Sequence, residues 1–380
     1  MTSGQHAIDS HADNNNPDEE VLPWLLACPP LRLRARLAVR VVALTMHWRR
    51  RIDNRIVLIG DPLQGNLAAF ASYLRAEHPS IEVMQLSFPP RGRPGRKGID
   101  GSRLGPLFKA SRARAIVSSA GPRSLAPWVS LSRRPLFVDV WHGVGFKARV
   151  MNAGRPFLCY DAHFVSSPYV AEYYRAAGAK PLVTGYARMD SITTAPLVPG
   201  SFLLVAPTWA ASTHLEVRTV LETINAHAIE FDYEVTYRPH PYSPPVEIAD
   251  LERVSLRASA SGLDTIETLR ATRALVTDWS SIASDYLPLG RPIIYLEGDM
   301  PAAPGPLDST DRPGPMVTTL HQLRSALDAA ISSPEATVAP YESRRRATLE
   351  RAWGATLDER AAQRYYDAIL HLEAARDRRG

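Results

Sequence analysis

RALVTDWSSIASDYLPLG, residues 273–290, passes from an apolar, partly β-branched run into a helix-forming one, with two serines at the join. An uninterrupted apolar run of this length has no exposed face, so it reads as a strand buried on both sides of a parallel sheet. Ser280 and Ser281 stand where the strand gives way to the helix, and hydroxyl side chains at that position satisfy the free N–H groups of a first helical turn. The stretch is therefore one βα unit.

Reading outward, the same grammar recurs. FLLVAPTW (202–209), YEVTYRPHP (233–241) and RPIIYLEG (291–298) are apolar runs that end on polar or rigid residues, and HLEVRTVLETINAHAI between the first two is helical. Four such strands predict a second parallel sheet beginning near Pro199. Upstream, RIVLIG (55–60), IEVMQLSF (81–88), AIVSS (115–119), LFVDVW (136–141) and AHFVSS (162–167) give a first sheet, with LAAFASYLRAEHP and YVAEYYRAAG as helices. PPRGRPGRKGIDGSR reads as a loop because its Gly, Pro and charge content disfavours a regular element. Strands separated by helices imply an α/β fold with helices on both faces of each sheet.

The 380 residues exceed one typical core. We expect residues 1–29 to be a disordered tail, 30–198 a first Rossmann-like domain, and 199–380 a second with C-terminal helices, the chain end crossing back onto the first. The composition, 45% hydrophobic and 22% charged, is that of a globular protein rather than a fibrous or disordered one. Cys28 and Cys159 are the only cysteines, which predicts neither a disulfide framework nor a thiolate metal site. No apolar run is long enough to span a bilayer, and the polar first twenty residues predict no secretory leader, so we expect a cytoplasmic protein. The formal charge of +5 is concentrated in residues 32–51 and 91–114. The first of these stretches, within LRLRARLAVRVVALTMHWRRR, reads as a basic helix: either packed on the first domain or lying on an anionic membrane surface.

The chemistry-bearing residues lie just past the strands, the edge where open α/β sheets bind ligands. His142, in WHGVGFK (141–147), follows a strand and precedes Gly143 and Gly145, which allow close approach of a substrate; the imidazole suits a general base, or merely caps a loop. In RPHP, Arg238 precedes His240, which Pro239 and Pro241 stiffen, so His240 reads as a fixed hydrogen-bond donor or as a solvent-facing turn residue. Ser280 and Ser281 read as an anion site or as simple caps. Asp278 can orient an imidazole or bind a hydroxyl, and Asp285 reads as packing or solvation. The histidines lack metal-ligand spacing, and there is no P-loop or complete dinucleotide fingerprint, so neither metal nor cofactor is expected.

Together these strings resemble the CDP-glycerol glycerophosphotransferase family, the enzymes of teichoic acid and capsule synthesis, from roughly Ile56 to Tyr366. WHGVGFK is similar to the family's WHG-T-P-x-K, GYARMD (185–190) to its G-x-P-R-N-D, and APTW, RPHP and TDWSS match in order. Pro313, Gly314 and Pro315 with the following VTTLHQLRSAL resemble its PGP segment and helix. DERAAQR (358–364) is similar to a D-G-x-x-S-x-R pattern without its glycine and serine. Gly145, Ala187, Met189 and Trp279 also depart from the family's residues, which leaves ribitol phosphate or another CDP-linked polyol open beside glycerol phosphate.

The resemblance implies a GT-B architecture, two Rossmann-like domains with parallel sheets facing across a cleft. It implies His142 as general base, His240 as a diphosphate-binding group, and Ser280, Ser281, Asp278, Arg238 and Thr208 on the donor, with Lys147, Gly143 and Arg188 contacting acceptor or phosphate. The expected partners are a CDP-polyol, a polymer or lipid-linked acceptor, and an anionic membrane at the inner face, but not nucleic acid. The competing expectation on the same fold is a nucleotide-sugar glycosyltransferase or a sugar-nucleotide epimerase.

Overall fold

The computed structural model describes residues 54–60, 63, 65–87, 99–100, 104–119, 135–141, 143–146, 160–193, 200–208, 213–240, 243–257, 265–299 and 305–378. The tail expected over 1–29, the basic helix expected over 30–51, residues 91–98 of the second basic stretch, His142, Lys147, Trp209 and Pro241 lie outside the described residues.

Two parallel sheets form the framework. The first contains β1 (Arg55–Ile59), β2 (Glu82–Ser87), β3 (Ile99–Asp100), β4 (Ala115–Ser118), β5 (Leu136–Asp139), β6 (Ala162–Val165) and β7 (Pro181–Val183), in the order β3-β2-β1-β4-β5-β6-β7. The second contains β8 (Phe202–Val205), β9 (Glu234–Tyr237), β10 (Val254–Leu256), β11 (Thr272–Thr277), β12 (Ile293–Leu296) and β13 (Met316–Val317), in the order β10-β9-β8-β11-β12-β13. The central strands β1, β4, β5, β6, β8 and β12 are buried along their whole length, as their continuous apolar text requires. Each sheet runs outward in both directions from a pair of adjacent strands, β1 and β4 in one and β8 and β11 in the other. Such reversals open a crevice at the carboxyl edge.

One expectation is corrected. The segment PPRGRPGRKGIDGSR is not loop throughout: Ile99 and Asp100 pair in parallel register with Leu86 and Ser87 as β3. A two-residue edge strand needs few backbone N–H groups, so the flanking glycines and prolines do not prevent it.

The halves are joined in two ways. A single apolar cluster holds Val144, Phe146, Tyr186 and Met189 from the first half together with Leu204, Leu275, Trp279 and Tyr286 from the second. The helix Ala361–Asp377, after the second sheet in sequence, packs under the first: Tyr365 and Ile369, both fully buried, share a core with Ile56, Phe70 and Phe164. The Tyr365 ring stands edge-on to Phe70 at 5.5 Å between centroids. Asp190 caps this helix, accepting the N–H groups of Ala361 and Ala362 at 2.9 and 2.8 Å.

Candidate functional site

The polar residues singled out in the second half stand at the carboxyl edge of adjacent strands. Thr208 follows β8 and Asp278 follows β11, the two strands at which the order reverses. Asp278 is fully buried and accepts the Thr208 N–H at 2.9 and 3.0 Å and its hydroxyl as well. Its carboxylate thus holds the turn after β8 against the turn after β11. On the other side of β8, Arg238 and His240 follow β9 and are half-buried, with the Arg238 guanidinium donating to the Thr265 hydroxyl at 3.0 Å.

The helix after Ser280 and Ser281 is shorter than its text suggests. It covers only Ile282–Tyr286, then tightens into the 3-10 turn Leu287–Leu289 and stops at Gly290, whose φ of +65° is left-handed. Pro288 explains the tightening, because it has no N–H for an α-helical bond. Ser281 makes no side-chain capping bond, and Ser280 accepts from the Ile282 N–H only at 3.5 Å. Capping alone therefore does not account for this serine pair.

Ser281 instead faces the first half. A methyl group placed on Gly143 would lie 2.7 Å from the Ser281 hydroxyl oxygen and 2.9 Å from its Cβ. Gly143 is buried, and the absence of a side chain is what lets the loop after β5 touch the turn after β11. The contact is reinforced nearby. The Ser284 hydroxyl donates to the Val144 carbonyl at 2.8 Å, the Gly305 N–H donates to the Phe146 carbonyl at 2.7 Å, and the Phe146 and Trp279 rings meet edge-on at 5.7 Å.

Arg188 occupies a different setting from the one expected of a phosphate contact. Its guanidinium is 5% exposed and pairs in fork geometry with Asp285, Nε to Oδ2 at 3.1 Å and Nη2 to Oδ1 at 2.7 Å. Asp285 is thus the counter-ion of Arg188, more than the packing residue its helical position suggests. Burial works to lower the Arg188 pKa, and its contacts with Asp285 more than offset that, leaving it raised.

Two contributors have no signature in the sequence. Asn66, buried in the first turn of the helix Gly65–Glu77, donates to the carbonyls of Val140 and Trp141 at 2.9 and 2.5 Å. Its amide oxygen accepts from the Arg188 backbone N–H and Nη1, both at 3.2 Å. Arg312, 2% exposed, lies over the Trp279 ring at 3.8 Å and donates to both carboxylate oxygens of Glu297 at 3.1 and 3.2 Å. Neither pairing follows a local spacing rule, because the partners are brought together by the fold.

The assembled edge offers hydroxyls, the half-buried Arg238 and the approach of a glycine loop across two sheets, a setting suited to an anionic nucleotide donor. Among the described residues no helix is long and apolar enough to cross a membrane. A family model described as CDP-Glycerol:Poly(glycerophosphate) glycerophosphotransferase matches residues 42–371. In fold, the chain is similar to a solved structure of the wall teichoic acid polymerase TagF, at 16% identity over 94% of this chain and 98% of that one, with a TM-score of 0.69. It is also similar to a putative UDP-N-acetylglucosamine 2-epimerase from Listeria monocytogenes, at 15% identity over 84% of this chain and 96% of that one, TM-score 0.55. A UDP-GlcNAc 2-epimerase from Neisseria meningitidis matches at 10% identity over 83% and 99%, TM-score 0.51. These likenesses are of fold, and the fold is GT-B, as expected. No curated protein matches the chain in sequence. The family match spans the two sheets and every polar residue discussed above, and the chain belongs to the CDP-glycerol:poly(glycerophosphate) glycerophosphotransferase family of transferases.

Proposed function

We propose that this chain transfers glycerol phosphate, or a related polyol phosphate, from a CDP-activated donor to a hydroxyl of a cell-surface polymer or lipid-linked primer, releasing CMP. The observation that carries the reading is the close packing of Gly143 against Ser281, which brings the loop bearing His142 to the serine pair of the second sheet.

The acceptor oxygen attacks the phosphorus that carries the polyol, a new P–O bond forms, and the bond to the bridging oxygen breaks with CMP leaving in line. His142 takes the hydroxyl proton. The negative charge on the diphosphate is held by His240, Arg238 and the hydroxyls of Ser280 and Ser281, with free backbone N–H groups at the same turn. Asp278 acts through Thr208, fixing that turn rather than touching the donor.

The test is a donor panel. CDP-glycerol, CDP-ribitol and UDP-sugars are each incubated with the chain and an acceptor, with CMP or UDP release and product mass as readouts. CMP release with the CDP-polyols alone is expected; UDP release or sugar epimerisation favours the competing nucleotide-sugar reading instead. His142→Ala and His240→Ala should each lower kcat about 100-fold or more, the usual scale of a lost acid-base or charge-stabilising group. A lipid-linked acceptor places the enzyme in the cytoplasm against the inner membrane face, and the basic 30–51 segment supplies the sequence basis for that contact. Flotation with anionic liposomes, compared before and after deletion of 30–51, measures it; equal flotation removes the membrane role.

A further inference from the structure

Asn66 lies at a junction that the chemistry above does not use. Its amide has two N–H groups and an oxygen with two lone pairs, and all four are engaged. The nitrogen faces two consecutive carbonyls, Val140 at 2.9 Å and Trp141 at 2.5 Å, the residues immediately before His142. The oxygen faces two donors of Arg188, whose guanidinium is bound in fork geometry by Asp285. Asp285 lies four residues beyond Ser281, and the neighbouring Ser284 returns to the Val144 carbonyl at 2.8 Å. The connections form a closed ring: helix start, loop after β5, serine turn after β11, ion pair, and back to the helix start. Its central side chains are buried, with Asn66 at 2%, Arg188 at 5% and Asp285 at 5% exposure, so water competes little for the bonds among them.

We propose that Asn66 is a positioning residue for the transfer reaction: through its paired bonds to Val140 and Trp141 and through Arg188 and Asp285, it sets the separation between the backbone carrying His142 and the Ser280–Ser281 turn. This rests on the function proposed above. No other side chain of similar size satisfies both sides of the junction. Aspartate keeps the acceptor for Arg188 but turns a second oxygen toward two carbonyls, and leucine provides neither donor nor acceptor. A displacement of the loop by about 1 Å is enough to cost about 100-fold in rate, while the donor contacts on the second sheet stay in place.

The experiment uses the full chain and three variants, Asn66→Asp, Asn66→Ser and Asp285→Asn, with CDP-glycerol as donor. For Asn66→Asp the expectation is a kcat lower by about 100-fold with KM for CDP-glycerol within about threefold of wild type, since only transition-state alignment is lost. A folded Asn66→Asp protein with wild-type kcat, or one whose KM for CDP-glycerol rises in step with the fall in kcat, overturns the proposal. If that variant does not fold, Asn66→Ser, which keeps one hydroxyl donor, must show the same fall in kcat at constant KM. Asp285→Asn should show a smaller loss in the same direction, and the double variant less than the sum of the two. Hydrogen exchange separates this proposal from the assignment of function. The amides of residues 143–146 should exchange faster in Asn66→Ser than in wild type whatever the substrate, and unchanged exchange sinks the relay. A wild-type chain that releases no CMP counts against the function and leaves that exchange result standing.

Discussion

Gly143 illustrates how one missing side chain can unite two sheets. The 2.9 Å separation between a methyl placed there and the Ser281 Cβ is closer than such carbons approach, and Ser281 cannot swing its Cβ away without moving the backbone of the turn after β11. Gly143→Ala should therefore push the His142 loop from the serine turn, lowering kcat by about 10- to 100-fold while costing only about 1–3 kcal/mol in urea unfolding. Near-wild-type turnover would mean that the two turns need not touch during the reaction. Trp279 gives a second case. Held by Arg312 over its ring at 3.8 Å and by Phe146 edge-on at 5.7 Å, it fixes the backbone immediately before Ser280. Arg312→Met, which keeps the stem but leaves Trp279 without its cation and Glu297 without its partner, should raise KM for CDP-glycerol, whereas Arg312→Lys should recover part of it. Steady-state kinetics at fixed acceptor will measure the difference. At this scale the sequence is informative only where chemistry and local position coincide. Thr208, Asp278, Ser280, Ser281 and His240 stand at strand ends, so their text points to the site. Asn66 is written like an ordinary residue of a helix start, and Arg188 like a free cation. Their partners lie 74 and 97 positions away at Val140 and Asp285, beyond any local rule.

Among the elements, the buried strands were the most legible, because an apolar run of four to six residues has few other uses. The edge strands β3 and β13 were not, since two residues each carry no pattern. The segment before β13 has its own constraint at Gly314, where a methyl would come within 2.0 Å of the Ile293 carbonyl oxygen. The RPGP text records that close approach. The helix Val217–Glu230 carries a different device in His227, which is fully buried, with Nδ1 2.9 Å from the Tyr233 hydroxyl and Nε2 3.0 Å from Asp328. A neutral ring donating to Asp328 and accepting from Tyr233 satisfies both contacts, so the tautomer is assigned by the network. Burial lowers the His227 pKa, opposed by Asp328. The native state therefore binds the proton less tightly than the unfolded chain. The stability that this neutral ring contributes is complete above the unfolded value of about 6.5 and is lost as pH falls through that value toward the native one. Thermal unfolding between pH 7.5 and 5.5 should show wild type losing more stability than His227→Gln. Parallel pH profiles would exclude His227 as the source.

For the whole molecule, the last helix, which belongs to the first core, adds to the shared apolar cluster in making the halves one body. The text shows an arginine-rich helical stretch at the chain end, and the expectation that it crosses back rests on nothing more local than its position. The packing is specific nonetheless. Gly185, with φ of +75°, leaves room for Thr356, Ala361 and Arg364, and the Arg364 guanidinium donates to the Thr184 carbonyl at 2.7 Å. GYARMD and DERAAQR, far apart in sequence, are thus opposite sides of one joint, with Asp190 supplying the helix cap. Two variants separate the cap from the packing. Asp190→Ala removes the acceptor of two N–H groups and should cost about 1–2 kcal/mol without splitting the unfolding transition, because the helix still docks. Ending the chain at residue 360 removes Tyr365 and Ile369, two fully buried side chains worth about 1.5–3 kcal/mol each, a large share of the about 5–15 kcal/mol that holds a domain together. The first sheet should then open separately from the second, with amides of β1 and β4 exchanging early while those of β8 and β11 stay protected. Because the Gly143 loop depends on the first sheet and the serine turn on the second, transfer should be abolished in that chain even though CDP-glycerol still binds, measurable as retained calorimetric affinity without CMP release. Loss of donor affinity together with protection in both sheets would instead mean that the crossing helix supports the second half, contrary to its contacts.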